Sequence, residues 1–270
     1  MIRAVAIAFL LCLNAAPAAW AGGETCNVAD DIAGTPAALP HVAEGLKPGR
    51  SLTILGVGSA TMFGPEAAMA PGTISSQALG GPEVTTQPQL FTQAASKLSF
   101  PLLMADALRN AVSGSDVKVS VRGGRSLLAA DTLALLKTEV ASRKYNLVLW
   151  QIGTVDAVRN LPPGEFSQVL LEGIEAVHEA GADLVLIDPQ YSRFLQTNTN
   201  LEPYTQALSQ AASMPGVVLF RRFDLMRAWV NEGQLDLERT PKADRKRAVE
   251  ALHACLGRYL SRLVLESSRS

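Results

Sequence analysis

The residues of this chain able to do chemistry are a serine at the end of a strand-like run, glycine pairs at the ends of two others, and a few aspartates and histidines. Ser59 stands in SLTILGVGSATMFG, Ser51 to Gly64, where the β-favouring run Leu52–Val57 gives way to Gly58-Ser59-Ala60-Thr61. Open α/β sheets hold ligands at the carboxyl ends of their strands, so a hydroxyl there can be a nucleophile; the same residue type also starts turns and caps helices. Three later strand ends carry comparable loops: VRGGRS (Val121–Ser126), QIGTVDAVR (Gln151–Arg159) and DPQYSRF (Asp188–Phe194). Gly123 and Gly124 allow close backbone approach and can offer N–H groups to an oxyanion, or can form a plain tight turn, and Gly153-Thr154 has the same two readings. Asp156 and Arg159 fit a solvated loop pair, and Asp188 fits a cap or turn residue. Arg159 and Arg193 could hold an anion or simply be solvated.

These loops need a scaffold that brings them to one edge, and the hydrophobic pattern supplies it. Apolar runs alternate with amphipathic stretches after about Arg50, which predicts an α/β domain with a parallel sheet covered on both faces. The predicted strands are Leu52–Val57, Val117–Arg122, Leu147–Ile152, Leu184–Ile187 and Val217–Phe220. Helices are predicted at Pro101–Ala111, Leu127–Ser142, Glu165–Ala180, Glu202–Ala212, Asp224–Val230 and about Asp244 to Leu265. The third is the clearest, with Phe166, Val169, Leu170, Ile174 and Val177 on one face and Gly181 at the C-terminal cap. Met62 to Ser99 is far longer than a usual βα loop, and beside a strand end it reads as a lid or specificity loop over Ser59. Its APG and GGP turns argue against a helix there.

Composition narrows the setting. A charged start, the apolar run Ala4 to Leu13 and the small-x-small site Ala19-Trp20-Ala21 predict a signal peptide over residues 1–21 and a periplasmic or secreted product. Residues 22–50 read as a lead-in and 51–270 as a single domain. No run reaches the ~20 apolar residues of a membrane span. Lys+Arg 24 against Asp+Glu 25 leaves no basic surplus for nucleic acid. Beyond the signal, Cys26 and Cys255 form an even pair, which in an oxidising compartment favours a disulfide, the alternative being two buried thiols. No cofactor is predicted: GVGSAT is not a phosphate-cradling glycine motif, and no His, Cys or carboxylate cluster has metal-ligand spacing.

In order, a serine block after strand one, a glycine block after strand two and WQIGT after strand three, the chain resembles the SGNH (GDSL-like) hydrolase family, as do DPQYSRFL and GVVLFRRFDLMRAW. The resemblance implies a three-layer, flavodoxin-like five-stranded parallel sheet of order 2-1-3-4-5, with ligand at the switch between strands one and three. It also implies an ester hydrolase acting on an acylated small molecule or a cell-envelope glycan. Ser59 would attack the ester carbonyl, Gly124, Ser126 and Thr154 would hold the oxyanion, and Asp188, Tyr191 and Arg193 would line the substrate site.

The chain departs from the family pattern at three places. Gly58 stands where the family has aspartate, and Gly153-Thr154-Val155 replaces Gly-x-Asn, a loss of one donor that typically costs about 100- to 1,000-fold in rate. Counting back from Cys255, Asp-x-x-His becomes Asp244-Arg245-Lys246-Arg247, so Asp244 is kept and a guanidinium replaces the base. The three histidines of the chain are His41, His178 and His253. His253 lies about 9 Å further along a helix and is the substitute base, or else an ordinary packed residue; His178 reads as surface. These departures keep a second reading open: a pseudoenzyme retained as a glycan- or protein-binding module.

Overall fold

A computed structural model of the chain describes residues 26–270; the predicted signal peptide lies outside them. Five long strands and one short one form the sheet: β1 (Ser51–Ser59), β2 (Gln89–Leu90), β3 (Asp116–Arg125), β4 (Leu147–Gln151), β5 (Asp183–Ile187) and β6 (Val217–Phe220). The order is β2-β3-β1-β4-β5-β6. The five long strands run parallel in the order expected, and β2 adds an antiparallel edge to β3. β4 and β5 are buried at every position, as strands covered on both faces must be, and so read as unbroken apolar runs.

Period-two alternation sends successive residues to opposite layers. Leu147 and Leu149 enter the core with α4 (Phe100–Ala111) and α11 (Arg245–Ser267), while Val148 and Trp150 face α5 (Ala129–Ser142), α7 (Pro163–Glu179) and α9 (Glu202–Ala211). The lead-in packs on the first of these faces. Its short α1 (Pro40–Gly45) is anchored where the Val42 N–H donates to the buried Asp183 carboxylate at 2.8 Å. Cys26 and Cys255 form a disulfide that joins the lead-in to α11.

The segment 62–99 is not helix-free. It carries α2 (Pro65–Met69) and α3 (Ile74–Ala78) besides β2. The turns bound these helices instead of forbidding them: Pro65 starts α2, where a missing N–H costs nothing, and the Thr73 hydroxyl accepts the Ser76 N–H at 3.1 Å to cap α3. Short helices α6 (Thr154–Val158) and α8 (Arg193–Asn198) follow β4 and β5, and α10 (Arg222–Asn231) follows β6. Among the described residues no helix is long and apolar enough to cross a membrane.

Candidate active site

Ser59 is the last residue of β1, half-buried, at the point where the chain order reverses between β3 and β4. Gln151, the last residue of β4, lies beside it and donates from Nε2 to Ser59 Oγ at 2.7 Å. Thr61 Oγ1 donates to Gln151 Oε1 at 3.0 Å and is 3.1 Å from Ser59 Oγ. Arg222 Nη1 donates to Thr61 Oγ1 at 3.3 Å. Since Thr61 spends its only proton on Gln151, the Ser59 hydroxyl must donate to Thr61 Oγ1. The serine proton is therefore held by a neutral hydroxyl, with a buried guanidinium behind it.

Two clefts open on Ser59. One, of about 400 Å³, is lined by Ser75, Ser126, Thr154 and Gln190; the other, of about 250 Å³, by Thr132, Gly153, Thr154 and Asp156. Thr154 lines both clefts with Ser59, and its buried hydroxyl has no hydrogen-bond partner among the described residues. Ser126 lines the same cleft at φ 60°, a left-handed backbone that favours glycine and agrees with the family glycine at this position. Its hydroxyl is spent on the Thr85 carbonyl at 2.5 Å, so only its backbone can serve an oxyanion. Gly124 departs from the open-loop reading. β3 continues to Arg125, and Gly124 pairs with Ser59 on one side and Leu90 on the other, inside the sheet.

The fourth block is corrected more sharply. Asp244 and Arg247 are both exposed and line neither cleft on Ser59. His253 is buried, accepts the Phe100 N–H at Nδ1 (3.2 Å), and makes no hydrogen bond to Ser59. Burial, and then the Arg222 charge, push its pKa down to about 3. His178 is on the surface, as expected. Among the described residues no imidazole hydrogen-bonds Ser59, because His253 sits on a helix face turned into a neighbouring chamber.

The strand-end residues assigned to substrate are mostly structural. Asp188 is buried and accepts the Phe223 N–H at 2.9 Å, capping α10; desolvation raises its pKa to about 7. Arg193 pairs with Asp236 at 2.8 Å and Glu238 at 3.5 Å. Tyr191 packs edge-on against Phe223. Asp156 and Arg159 are not a solvated pair: Asp156 is buried and accepts the Ala129 N–H at 2.9 Å, and Arg159 donates to the Thr86 and Ser126 carbonyls. Burial raises the Asp156 pKa, against the pull of its backbone partners. Gln151, Thr61 and Arg222 went unread in the sequence. Their only signal was position, at or just past a strand end. Among the described residues no group of three His, Cys, Asp or Glu could hold a metal.

A parallel sheet ordered β3-β1-β4-β5-β6, with a serine at the switch point, defines an SGNH/GDSL-like hydrolase fold. The chain belongs to the Non-GDSL lipase-like family, whose model matches residues 25–270. No curated protein sequence matches it. Among solved structures, an acetyl-xylooligosaccharide esterase from Geobacillus Stearmophilus superposes with TM-score 0.55 at 16% identity, over 82% of this chain and 96% of that one. A two-domain esterase active on acetylated mannans gives 0.58 at 8% identity, over 90% and 57%. A lipase/acylhydrolase from Enterococcus faecalis gives 0.51 at 15%, over 78% and 96%. At such identities the likeness establishes the fold.

Proposed function

We propose that the protein is an exported SGNH-type ester hydrolase acting on O-acyl esters of a glycan or small molecule, with Ser59 as nucleophile. The observation that carries this is the Ser59 hydroxyl, held by Gln151 at 2.7 Å at the mouth of clefts it shares with Thr154. Two structural neighbours act on acetylated sugars, which supports the substrate class. The Cys26–Cys255 disulfide supports export.

Ser59 Oγ adds to the acyl carbonyl carbon, the oxyanion faces Thr154, and collapse breaks the ester C–O bond to expel an alkoxide that takes a proton from water, leaving an acyl-serine that water cleaves to the acid and free serine. Thr61 and Gln151 are too weakly basic to keep the serine proton, so it passes to hydroxide, and the Arg222 cation two hydrogen bonds away favours the resulting alkoxide. Turnover is therefore slow and climbs steadily with pH, with no plateau from an imidazole near its ordinary value of about 6.5. Ser59→Ala should abolish hydrolysis of p-nitrophenyl acetate by the purified protein. Equal rates in parent and variant would remove Ser59 from the reaction.

A second reading is favoured by one specific feature, the lack of any imidazole on Ser59. On it the cleft binds an acylated glycan or a protein partner without cleaving it. Stoichiometric labelling of Ser59 by a fluorophosphonate supports the hydrolase; binding of acetylated oligosaccharide by parent and Ser59→Ala alike, with no labelling, supports the binding module.

A further inference from the structure

A third, larger cleft, about 790 Å³ with the solvent-open space counted, lies behind Thr61, Ser75 and Gln190, which it shares with the first of the serine's clefts. Its walls are apolar, with Met69, Leu79, Phe100, Met226, Leu252 and Leu256 among them. Besides the Gln190 amide, three side chains bearing ring or guanidinium N–H groups line it: Arg222, Trp229 and His253. Each keeps a donor that nothing accepts among the described residues. Arg222 is 1% exposed, and its Nε and Nη2 are unbonded, as is the Trp229 indole Nε1. His253 accepts at Nδ1, so the neutral ring carries its proton on Nε2, which has no partner.

The side-chain carboxylates and the amide oxygen that line the chamber are already engaged. Asp236 and Glu238 hold Arg193, and Gln190 Oε1 takes the Ser75 hydroxyl at 3.0 Å. Asp188 accepts the Phe223 N–H and forms no ion pair with the Arg222 guanidinium. The chamber is thus rich in donors and poor in free acceptors, and its one buried cation lacks a counter-ion in contact. Such a charge is unfavourable unless a ligand completes it. Nε and Nη2 share one edge of the guanidinium, the fork that takes both oxygens of a carboxylate.

We propose that this cleft binds a carboxylate with an apolar tail, a medium-chain fatty acid, its head on Arg222 and its tail along the apolar wall. The site shares Arg222 and Thr61 with the hydrogen-bond chain behind Ser59, but binding there needs no turnover by the serine and is read without it.

Trp229 reports on the cleft, while Trp150 packs on the opposite face of the sheet. Decanoate brominated at its tail should quench the purified protein's fluorescence, and Trp229→Phe should remove that quench. In competition, decanoate should displace the probe at least about tenfold better than decanol or acetate, since only decanoate has both a charge and a tail. Arg222→Met should weaken decanoate by about tenfold or more and leave decanol unchanged. Decanol competing as well as decanoate, or no quench at all, overturns the proposal. Should Arg222→Met fail to fold, the comparison in the parent protein decides alone.

Discussion

Gly58 has no room for a side chain, because the β4 backbone at Gln151 and the Met62 side chain lie against it. A Cβ at Gly58 would sit 2.7 Å from Gln151 Cβ, 3.0 Å from the Gln151 carbonyl oxygen and 3.1 Å from Met62 Cγ, so no side chain fits at this spacing of β1 and β4. The departure at Gly58 was legible in the sequence; the Gln151 amide on Ser59 is a separate fact. Ser59 and Thr154 could be read from strand ends alone. The amide could not, because nothing in a linear pattern says which side chains of β4 reach across to β1. The buried ionisable groups behind the site make a residue-scale prediction about pH. His253 stays neutral down to about 3 in the fold but takes a proton below 6.5 when unfolded, so its contribution to stability is lost as pH falls through that window. Asp188 works the other way. It keeps its proton to about 7 in the fold but ionises above 3.8 when unfolded, so stability is lost as pH rises between those values. In urea melts, Asp188→Asn should gain on the parent as pH goes from about 4 to about 7, and His253→Asn should gain as pH falls below about 6. A constant offset at every pH would mean that neither group titrates as its burial dictates.

The elements themselves were largely legible, since every predicted strand and every predicted helix is present within a few residues. Their legibility has a physical basis: the long helices bury one face and the central strands both, so burial is written as periodicity. What stayed hidden was short. α2, α3 and α6 are five-residue helices with no room for a repeating pattern, and β2 is two residues recruited by the edge of β3. Recruitment of β2 has a functional consequence, because it turns Gly124 from an open loop into sheet and leaves Ser126 and Thr154 to face the serine. One close approach between elements is set by a single missing side chain. Where α7 crosses β4, a Cβ on Gly173 would lie 2.1 Å from the Trp150 ring, whose indole N–H is fixed on Thr132 Oγ1 at 3.0 Å. Gly173→Ala should push α7 off the sheet and cost about 1–3 kcal/mol, even though alanine is the better helix former. Chemical denaturation measures this directly; an unchanged or higher midpoint would show that Trp150 repacks freely.

Over the whole molecule, the lead-in is held to the fold by its two ends. At one end Val42 and Leu39 sit in the core, and the Leu39 N–H donates to the Ser267 carbonyl at 3.0 Å. At the other, the Cys26–Cys255 disulfide spans 229 residues of sequence, and the Tyr259 hydroxyl both accepts the Val28 N–H at 2.9 Å and sits 2.7 Å from the Val28 carbonyl. The cross-link closes almost the entire described chain into one loop. Loop-closure entropy grows with the logarithm of length, so a bridge this long falls at the upper end of what a single disulfide contributes, about 2–5 kcal/mol. Replacing both cysteines by serine should lower the urea midpoint accordingly. Because β1, β4 and the Ser59 hydrogen bonds lie in the sheet and not in the lead-in, hydrolytic activity per folded molecule should stay the same. Amide exchange should locate the loss: the Val28 N–H should open first, ahead of Val42, since it loses the bridge beside it while Val42 keeps Asp183. A variant in which both amides open together would mean that the lead-in and the sheet unfold as one unit, and that the bridge acts on the unfolded chain alone.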